Sequence, residues 1–536
     1  SRIGTRFTEI MSLRLCCWDQ ENEQNISSIK SLINRGSFMP WIKEEKFYLT
    51  VLLLLILIMA VRTPLDTDMW WHLRAGEETW SAQSVYLVDT ISYTRAGEPW
   101  INHSWLAQVV MIGLYKLGEY KALSLWVGVT AAISMLFVYL QMEGHALIKT
   151  SLVLFASFVS SVVWSPRPQI FSFLLFAITG FIIFRFKTKG KNQLYWLAPI
   201  FIVWSNLHGG YVLGIILIIS VIIGEIYNQT LGEESENSLN WSEIRRLAIW
   251  GTAGFVLAAV NPNGVKMWII PFQTVGVTSL QNLISEWASP DFHQPIQQLM
   301  LVLLFGTFAA VGLSKRRLTG SELLSVAVFG ILALTARRNF GPFALVATPV
   351  LSKHLASLLL EWNSHLTGQF KFFSNLTEYQ NKSRQEINKT IQSIVNIVVV
   401  FILIFTAGYK WINVSNLEFV EKTEQKTFPV DAVNWIKKEK PEGNLLNEYN
   451  WGGYLAWQLR EYQVFVDGRT DLFGDEIIGN WLDLINTVGN WEKSIDDWEI
   501  NTIFLKRDRP IVQALVQNGW VYGYRDETVV VLLRNE

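Results

Sequence analysis

The sequence predicts a polytopic α-helical membrane protein with a small α/β domain at its C-terminal end. Three observations lead there. Half of the 536 residues are hydrophobic and only 17% are charged, against about a quarter charged in ordinary soluble domains. The apolar residues fall in long blocks, about eleven of which approach the roughly 20 residues that a bilayer crossing needs. After residue 411 the blocks stop, and short strand-like runs alternate with helical stretches over the length of one ordinary domain.

Residues 1–46 read as a polar N-terminal cytoplasmic segment, partly disordered. Its adjacent Cys16 and Cys17 are the only two cysteines of the chain, and they offer neither a fold-bridging disulfide nor metal-ligand spacing. The apolar run at 47–62 lacks the flanks of a cleaved signal, so it is expected to be an uncleaved anchor. The membrane domain is expected over 47–411, with an external loop at 64–120 just after the first span. Within that loop, 104–117 is short and amphipathic, which suits a helix lying in the interface. Further spans are expected near 121–141, 148–164, 168–186, 193–206, 209–227, 246–260, 296–313, 319–336, 342–360 and 391–411. In the tail, 412–536, strands are expected at 445–448, 462–467, 502–506 and 528–533. Helices there are expected near 430–439, 453–460, 475–486 and 510–518.

Basic residues set the orientation. Lys43 and Lys46, then Lys187, Lys189 and Lys191, then Arg245 and Arg246, then Lys315, Arg316 and Arg317 all fall on one side when spans are counted, and the positive-inside rule makes that side cytoplasmic. The opposite side gathers D-T-D-M-W-W-H (66–72), S-P-R-P-Q (165–169), S-N-L-H-G-G (205–210), N-P-N-G (261–264), E-W-A-S-P-D-F-H (286–293) and A-R-R-N (336–339). Polar side chains near membrane depth are tolerated where they line a wet cavity. Counting also puts the tail on this outer side. The formal net charge is −1, so nothing points to a nucleic-acid partner; the lipid bilayer is the expected environment. Most of the 24 tryptophans are accounted for by interfacial aromatic belts.

Asp66 and Asp68 stand at the exit of the first span, beside Trp71 and His72. A carboxylate there can take a proton from an acceptor or hold a divalent cation against a phosphate; a solvated turn with Asp68 capping the following helix is the plain alternative. Arg167 lies between two prolines, which hold its fork in a rigid turn suited to a phosphate, although a headgroup anchor would look the same. Arg337 and Arg338 fall on the outer side against the charge rule, which an anionic lipid phosphate would explain. His208 precedes two glycines that let a ligand approach the backbone; His103 and His72 share the usual alternative of packed, hydrogen-bonded histidines. Glu286 and Asp291 are able to join a metal or acceptor site, although a solvated loop is the default reading for both. Asp467 and Arg469 follow an expected strand end, where open α/β sheets place ligands, or they form a simple turn pair. There is no Walker loop, dinucleotide fingerprint, H-E-x-x-H or nucleophile elbow.

One span, a loop opening on an acidic pair, an interfacial helix and a second hydrophobic hairpin resemble the GT-C superfamily of integral-membrane glycosyltransferases. The strings D-x-D-x-W-W-H-L-R-x-G, W-x-N-H-S-W-L, S-P-R-P-Q, N-L-H-G-G, N-P-N-G, W-G-G-Y-L and D-G-R-T-D look like a bacterial branch of it. The resemblance implies a polyprenyl-phosphate-linked sugar as donor and a lipid, glycan or protein as acceptor. It implies an essential acid at Asp66 or Asp68, inverting transfer, and leaving-phosphate stabilisation by Arg167, Arg337 or Arg338. Trp71, His72, His103, His208, Asp467 and Arg469 become the candidate substrate contacts. An acidic second-loop motif like that of oligosaccharyltransferases is missing, so a divalent cation stays an open matter. A transporter or flippase of lipid-linked glycans, and a glycan ligase or polymerase, are the alternatives. The expected location is the bacterial cytoplasmic membrane.

Overall fold

Long helices make up most of the chain, and a four-stranded sheet closes it. The computed structural model describes residues 38–232, 237–276, 284, 286–369 and 389–535; most of the N-terminal segment, including Cys16 and Cys17, lies outside them. Helix α1 (Phe38–Ala60) ends where the external loop begins, and α2 (Met69–Ala82) follows within that loop. The bundle continues with α3 (Trp105–Tyr139), α4 (Ala146–Ser160), α5 (Gln169–Lys189), α6 (Leu197–Leu207), α7 (Tyr211–Thr230) and α8 (Trp241–Leu257). After these come α9 (Pro295–Leu313), α10 (Gly320–Thr335), α11 (Phe340–Gln369) and α12 (Lys389–Val414). The chain divides into two compact units, Ser1–Val51 and Leu52–Glu536. In the first, Thr50 Oγ1 donates to the Lys46 carbonyl at 2.9 Å, one helical turn back.

Among the described residues seven helices are long and apolar enough to cross a membrane, which makes this a multi-pass membrane protein. That is fewer than the blocks counted in sequence, and the reasons are local. The first half of α1 carries Lys43, Glu44, Glu45 and Lys46, α8 opens on Glu243, Arg245 and Arg246, and α6 and α10 are short. The segment 104–117, expected as an interfacial helix, is helical from Trp105 but runs on into the next span. Only a kink at Gly118 and Glu119, the latter with φ of 47°, separates the two within α3. Helix starts follow their sequence signals: Asn240 with Glu243 and Thr319 with Glu322 form capping boxes at α8 and α10, each side chain satisfying a donor that the first turn leaves open.

The tail begins with α13 (Leu417–Thr427) and α14 (Val430–Glu439), and its remaining helices are α15 (Gly452–Gln458), α16 (Thr470–Asn486), α17 (Trp491–Asp497) and α18 (Pro510–Gln517). The strands β1 (Asn444–Asn447), β2 (Ile500–Lys506), β3 (Val521–Arg525) and β4 (Val529–Leu533) lie in the order β1-β2-β4-β3, with β1 parallel to β2 and the other pairs antiparallel. The run at 462–467, expected as a strand, is not one. The Asn447 amide oxygen takes the Phe465 N–H at 2.8 Å, and Val464 makes isolated parallel bridges to Leu445 and to Ser92. The external loop is thereby joined to the sheet edge: Val464 N–H donates to Ile91 O at 3.0 Å and Tyr93 N–H to Val464 O at 3.2 Å. β3 went unforeseen because its alternation is interrupted by Gly523.

Loop and tail also share a core. Trp70 on α2 is fully buried against Tyr454 and Phe428, with ring centroids 5.3 and 5.8 Å away and edge-on geometry, an arrangement favoured by aromatic quadrupoles. This burial fixes α2, and with it the residues just before it.

Candidate active site

Those residues are Asp66 and Asp68. Asp66 Oδ1 accepts the Asp68 backbone N–H at 2.9 Å, a local turn that asparagine and aspartate side chains favour. Asp68 occupies the N-cap position of α2 yet makes no side-chain cap bond. Its carboxylate turns instead to Arg167, Oδ2 lying 2.8 Å from Nη1. Arg167 also contacts Asp66 through Nε and reaches Glu286 Oε1 at 3.3 Å through Nη1. All four side chains are between 13% and 29% exposed, so the group is partly open to its surroundings. Pro166 and Pro168 flank the arginine, and Pro168 leads into α5.

Three carboxylates thus converge on one guanidinium. Burial pushes the Asp68 carboxyl up, to about 6; Arg167 pulls it down, while Asp66 and Glu286 add to the rise. Burial works against the Arg167 charge, but Asp68, Asp66 and Glu286 hold its pKa above the usual guanidinium value. Among the described residues no group of three or more His, Cys, Asp or Glu side chains is arranged to hold a metal ion. Glu286, for which the sequence favours a solvated loop over a metal or acceptor site, is drawn into the group by its contact with Arg167.

The segment after Glu286 joins Arg337 and Arg338 through the backbone. Arg338 N–H donates to Glu286 O at 3.0 Å and Arg337 N–H to Ala288 O at 3.3 Å. The Arg338 guanidinium stacks 4.2 Å over the Trp287 ring, and Arg337 Nε is buried with no hydrogen-bond partner. Neither forms an ion pair among the described residues.

The three histidines lie near one another, His72 within reach of the Arg167 charge and His208 of the Arg338 charge. His103 and His208 have ring centroids 6.1 Å apart. Burial holds His72 well below its ordinary pKa, helped by Arg167, His103 and His208; burial does the same for His208, so both are neutral. Trp204 Nε1 donates to Ser172 Oγ at 2.7 Å, leaving the Ser172 proton for His208 Nδ1 at 2.8 Å, which the Gly210 N–H also approaches at 3.0 Å. That pattern places the His208 proton on Nε2. His103 Nδ1 is buried without a partner, 3.8 Å from Asp471 Oδ2. Trp71 stacks with His72 at 3.5 Å and meets Trp100 edge-on at 6.0 Å. Its indole nitrogen lies next to Asp68, outside hydrogen-bonding geometry.

Asp467 and Arg469, offered by the sequence as substrate contacts, sit elsewhere. Both are completely buried. Arg469 Nη2 is 2.7 Å from Asp467 Oδ2, and its Nη1 is 2.5 Å from Oδ1 of Asp89, an equally buried residue of the external loop. Asp89 in turn accepts the Ile91 N–H at 3.1 Å. The triad clamps loop to tail, and its side chains are shut off from solvent. The residue between its two tail members abuts the Asp66–Arg167 group: a Cβ on Gly468 would lie 2.1 Å from Asp68 Oδ1 and 2.7 Å from Trp71 Nε1.

No protein-family model matches the chain, and no curated protein matches it by sequence. Solved structures do. The Archaeoglobus fulgidus oligosaccharyltransferase tethered to an acceptor peptide is 12% identical, with 93% of this chain and 75% of that one covered at a TM-score of 0.53. The oligosaccharyltransferase AglB of the same organism, in complex with an inhibitory peptide and a dolichol-phosphate, is 11% identical, with 87% and 70% covered and a TM-score of 0.51. ArnT from Cupriavidus metallidurans bound to undecaprenyl phosphate is 11% identical over 92% and 98%, with a TM-score of 0.49. With 93% and 87% of its length covered by the two solved oligosaccharyltransferase structures, the chain shares their fold.

Proposed function

We propose that the protein transfers a glycosyl group from a polyprenyl-phosphate donor to an acceptor on the outer side of a bacterial cytoplasmic membrane, with inversion. The observation that supports this most is the convergence of Asp66, Asp68 and Glu286 on Arg167 at the head of a GT-C membrane domain. Asp68 is the general base. Its carboxyl, pushed up to about 6, is ionised at neutral pH yet more basic than an ordinary carboxylate, whereas Asp66 Oδ1 is engaged by both Arg167 and the Asp68 N–H. The acceptor hydroxyl or amide attacks the anomeric carbon and its proton passes to Asp68. The bond between that carbon and the phosphate oxygen breaks, and polyprenyl phosphate leaves with the electron pair.

Arg338 and Arg337 receive the leaving phosphate, since neither guanidinium forms an ion pair among the described residues, Glu286 acting on Arg338 only at longer range. That the solved AglB holds a dolichol-phosphate supports a donor of this class. Arg167 orients the carboxylates. We assign Asp467 and Arg469 a positioning role through Asp89 in place of substrate contact. The test uses the full chain in nanodiscs with labelled polyprenyl-phosphate hexose or pentose and a cell-envelope fraction as acceptor source. Label should move from lipid to acceptor, and Asp68→Asn should lower the rate about 10²- to 10⁴-fold. An unchanged rate in that variant, or no transfer by the wild type from either donor, would sink the reading.

A further inference from the structure

At the end of the bundle away from Arg167, helices α5, α7, α10 and α11 surround a cavity of about 1000 Å³, counted with its open mouth. The distance is set by α5 itself. Arg167 precedes its first turn and Lys187 lies in its last, about 30 Å apart along the axis, the thickness of a hydrocarbon core. The cavity rim is therefore at the opposite membrane boundary. Its inner wall is apolar, including Phe176, Ile183, Leu217, Val221, Leu345 and Pro349. Its rim is charged with both signs. Lys353 Nζ is 2.6 Å from Glu322, Arg316 Nη1 is 2.5 Å from Glu143, and Lys187 contacts both Glu225 and Ser321. One polar atom on the wall is left over: Ser325 Oγ is buried with no partner, and the residue is 5% exposed.

We propose that this cavity binds one phospholipid with a zwitterionic, ethanolamine-type headgroup, taken from the leaflet opposite the Asp66–Arg167 site. One acyl chain lies along the wall from Phe176 to Lys187, about 16 Å of helix, and the other stays in the surrounding leaflet through the open mouth. The phosphate meets Lys187 and Lys353, the ammonium meets Glu322 and Glu143, and an ester carbonyl accepts the Ser325 proton. Charge decides the headgroup. Each rim cation already has a carboxylate partner, so a net anionic headgroup would bring an uncompensated charge into a poorly solvated rim. A zwitterion adds none. The site is separate from the proposed chemistry, and lipid binding is measured without any transfer reaction.

The full chain, delipidated in detergent, is offered equal amounts of phosphatidylethanolamine and phosphatidylglycerol, and retained lipid is read by native mass spectrometry. One phosphatidylethanolamine per chain is expected, with about tenfold preference over phosphatidylglycerol, equivalent to roughly 1.4 kcal/mol. Gly180→Phe should abolish retention. A Cβ there meets nothing closer than Gln141 Oε1 at 3.6 Å, so Gly180→Ala is tolerated and keeps the lipid, while the larger ring fills the cavity. Equal retention of both lipids, retention of neither, or wild-type occupancy in a folded Gly180→Phe overturns the proposal. Should that variant not fold, the wild-type preference decides alone.

Discussion

Gly468 of the tail and Asp68 of the first external loop are so closely apposed that a methyl group on the glycine would lie 2.1 Å from the aspartate oxygen. The obstructing atoms belong to side chains, so Gly468→Ala forces Asp68 and Trp71 aside without breaking backbone. We expect about 1–3 kcal/mol of destabilisation, as for other overpacked sites, together with a loss of transfer larger than any loss of folded protein. Gly452→Ala is the contrast. Its Cβ would fall 2.0 Å from the Val466 carbonyl, and little folded protein should be recovered in detergent.

The Asp68 carboxyl supplies a pH signature. Its pKa, pushed to about 6 by burial with Asp66 and Glu286 adding and Arg167 opposing, makes the base available only above that value. Transfer should rise with pH through a midpoint near 6 and level off, and the limb should vanish in Asp68→Asn. Stability moves the other way. The folded protein holds a proton that the unfolded chain releases near its ordinary value of about 3.9, so this group stabilises most below that value and its contribution is lost as pH climbs through 6. Thermal midpoints of wild type and Asp68→Asn between pH 4 and 7 should diverge accordingly.

Arg338 separates donor affinity from stability. Its guanidinium stacks on Trp287 and forms no ion pair among the described residues, so removing it leaves no carboxylate stranded. Arg338→Ala is expected to raise the donor KM about 10- to 150-fold, the worth of one charge-assisted contact at roughly 1.5–3 kcal/mol, while the melting temperature stays within a few degrees. A kcat loss with unchanged KM would instead place Arg338 at the transition state alone.

Arg469 should behave in the opposite manner. Removing one member of a buried ion cluster typically costs about 3–5 kcal/mol, and Arg469→Ala strands both Asp467 and Asp89 at zero exposure. The expected readout is faster proteolysis within 83–104 and loss of folded protein. Normal protection with a raised acceptor KM would restore these residues to the binding site.

The helical architecture was legible because bilayer crossing imposes a length and a composition that few other pressures imitate. Asp66, Asp68 and Arg167 were legible for a similar reason: charged groups at span exits, one locked between prolines, need an explanation. Asp89 and Gly468 were not. An aspartate in D-T-I-S and a glycine in D-G-R-T read as ordinary turn chemistry, and only the approach of segments some 380 positions apart gives them their partners. Asp467 and Arg469 are ambiguous for the opposite reason, since a strand-end charge pair looks the same in sequence whether it faces a ligand or a buried third residue.

That separation governs when the site comes into being. Asp89 leaves the ribosome 380 residues ahead of Arg469, an interval of about 20–75 s at ordinary rates of synthesis. Throughout it the loop bearing both aspartates has no sheet edge to join and no arginine to neutralise its buried acid. Prematurely terminated chains would therefore insert their helices yet remain inert, and competence would arrive only with the last stretch translated.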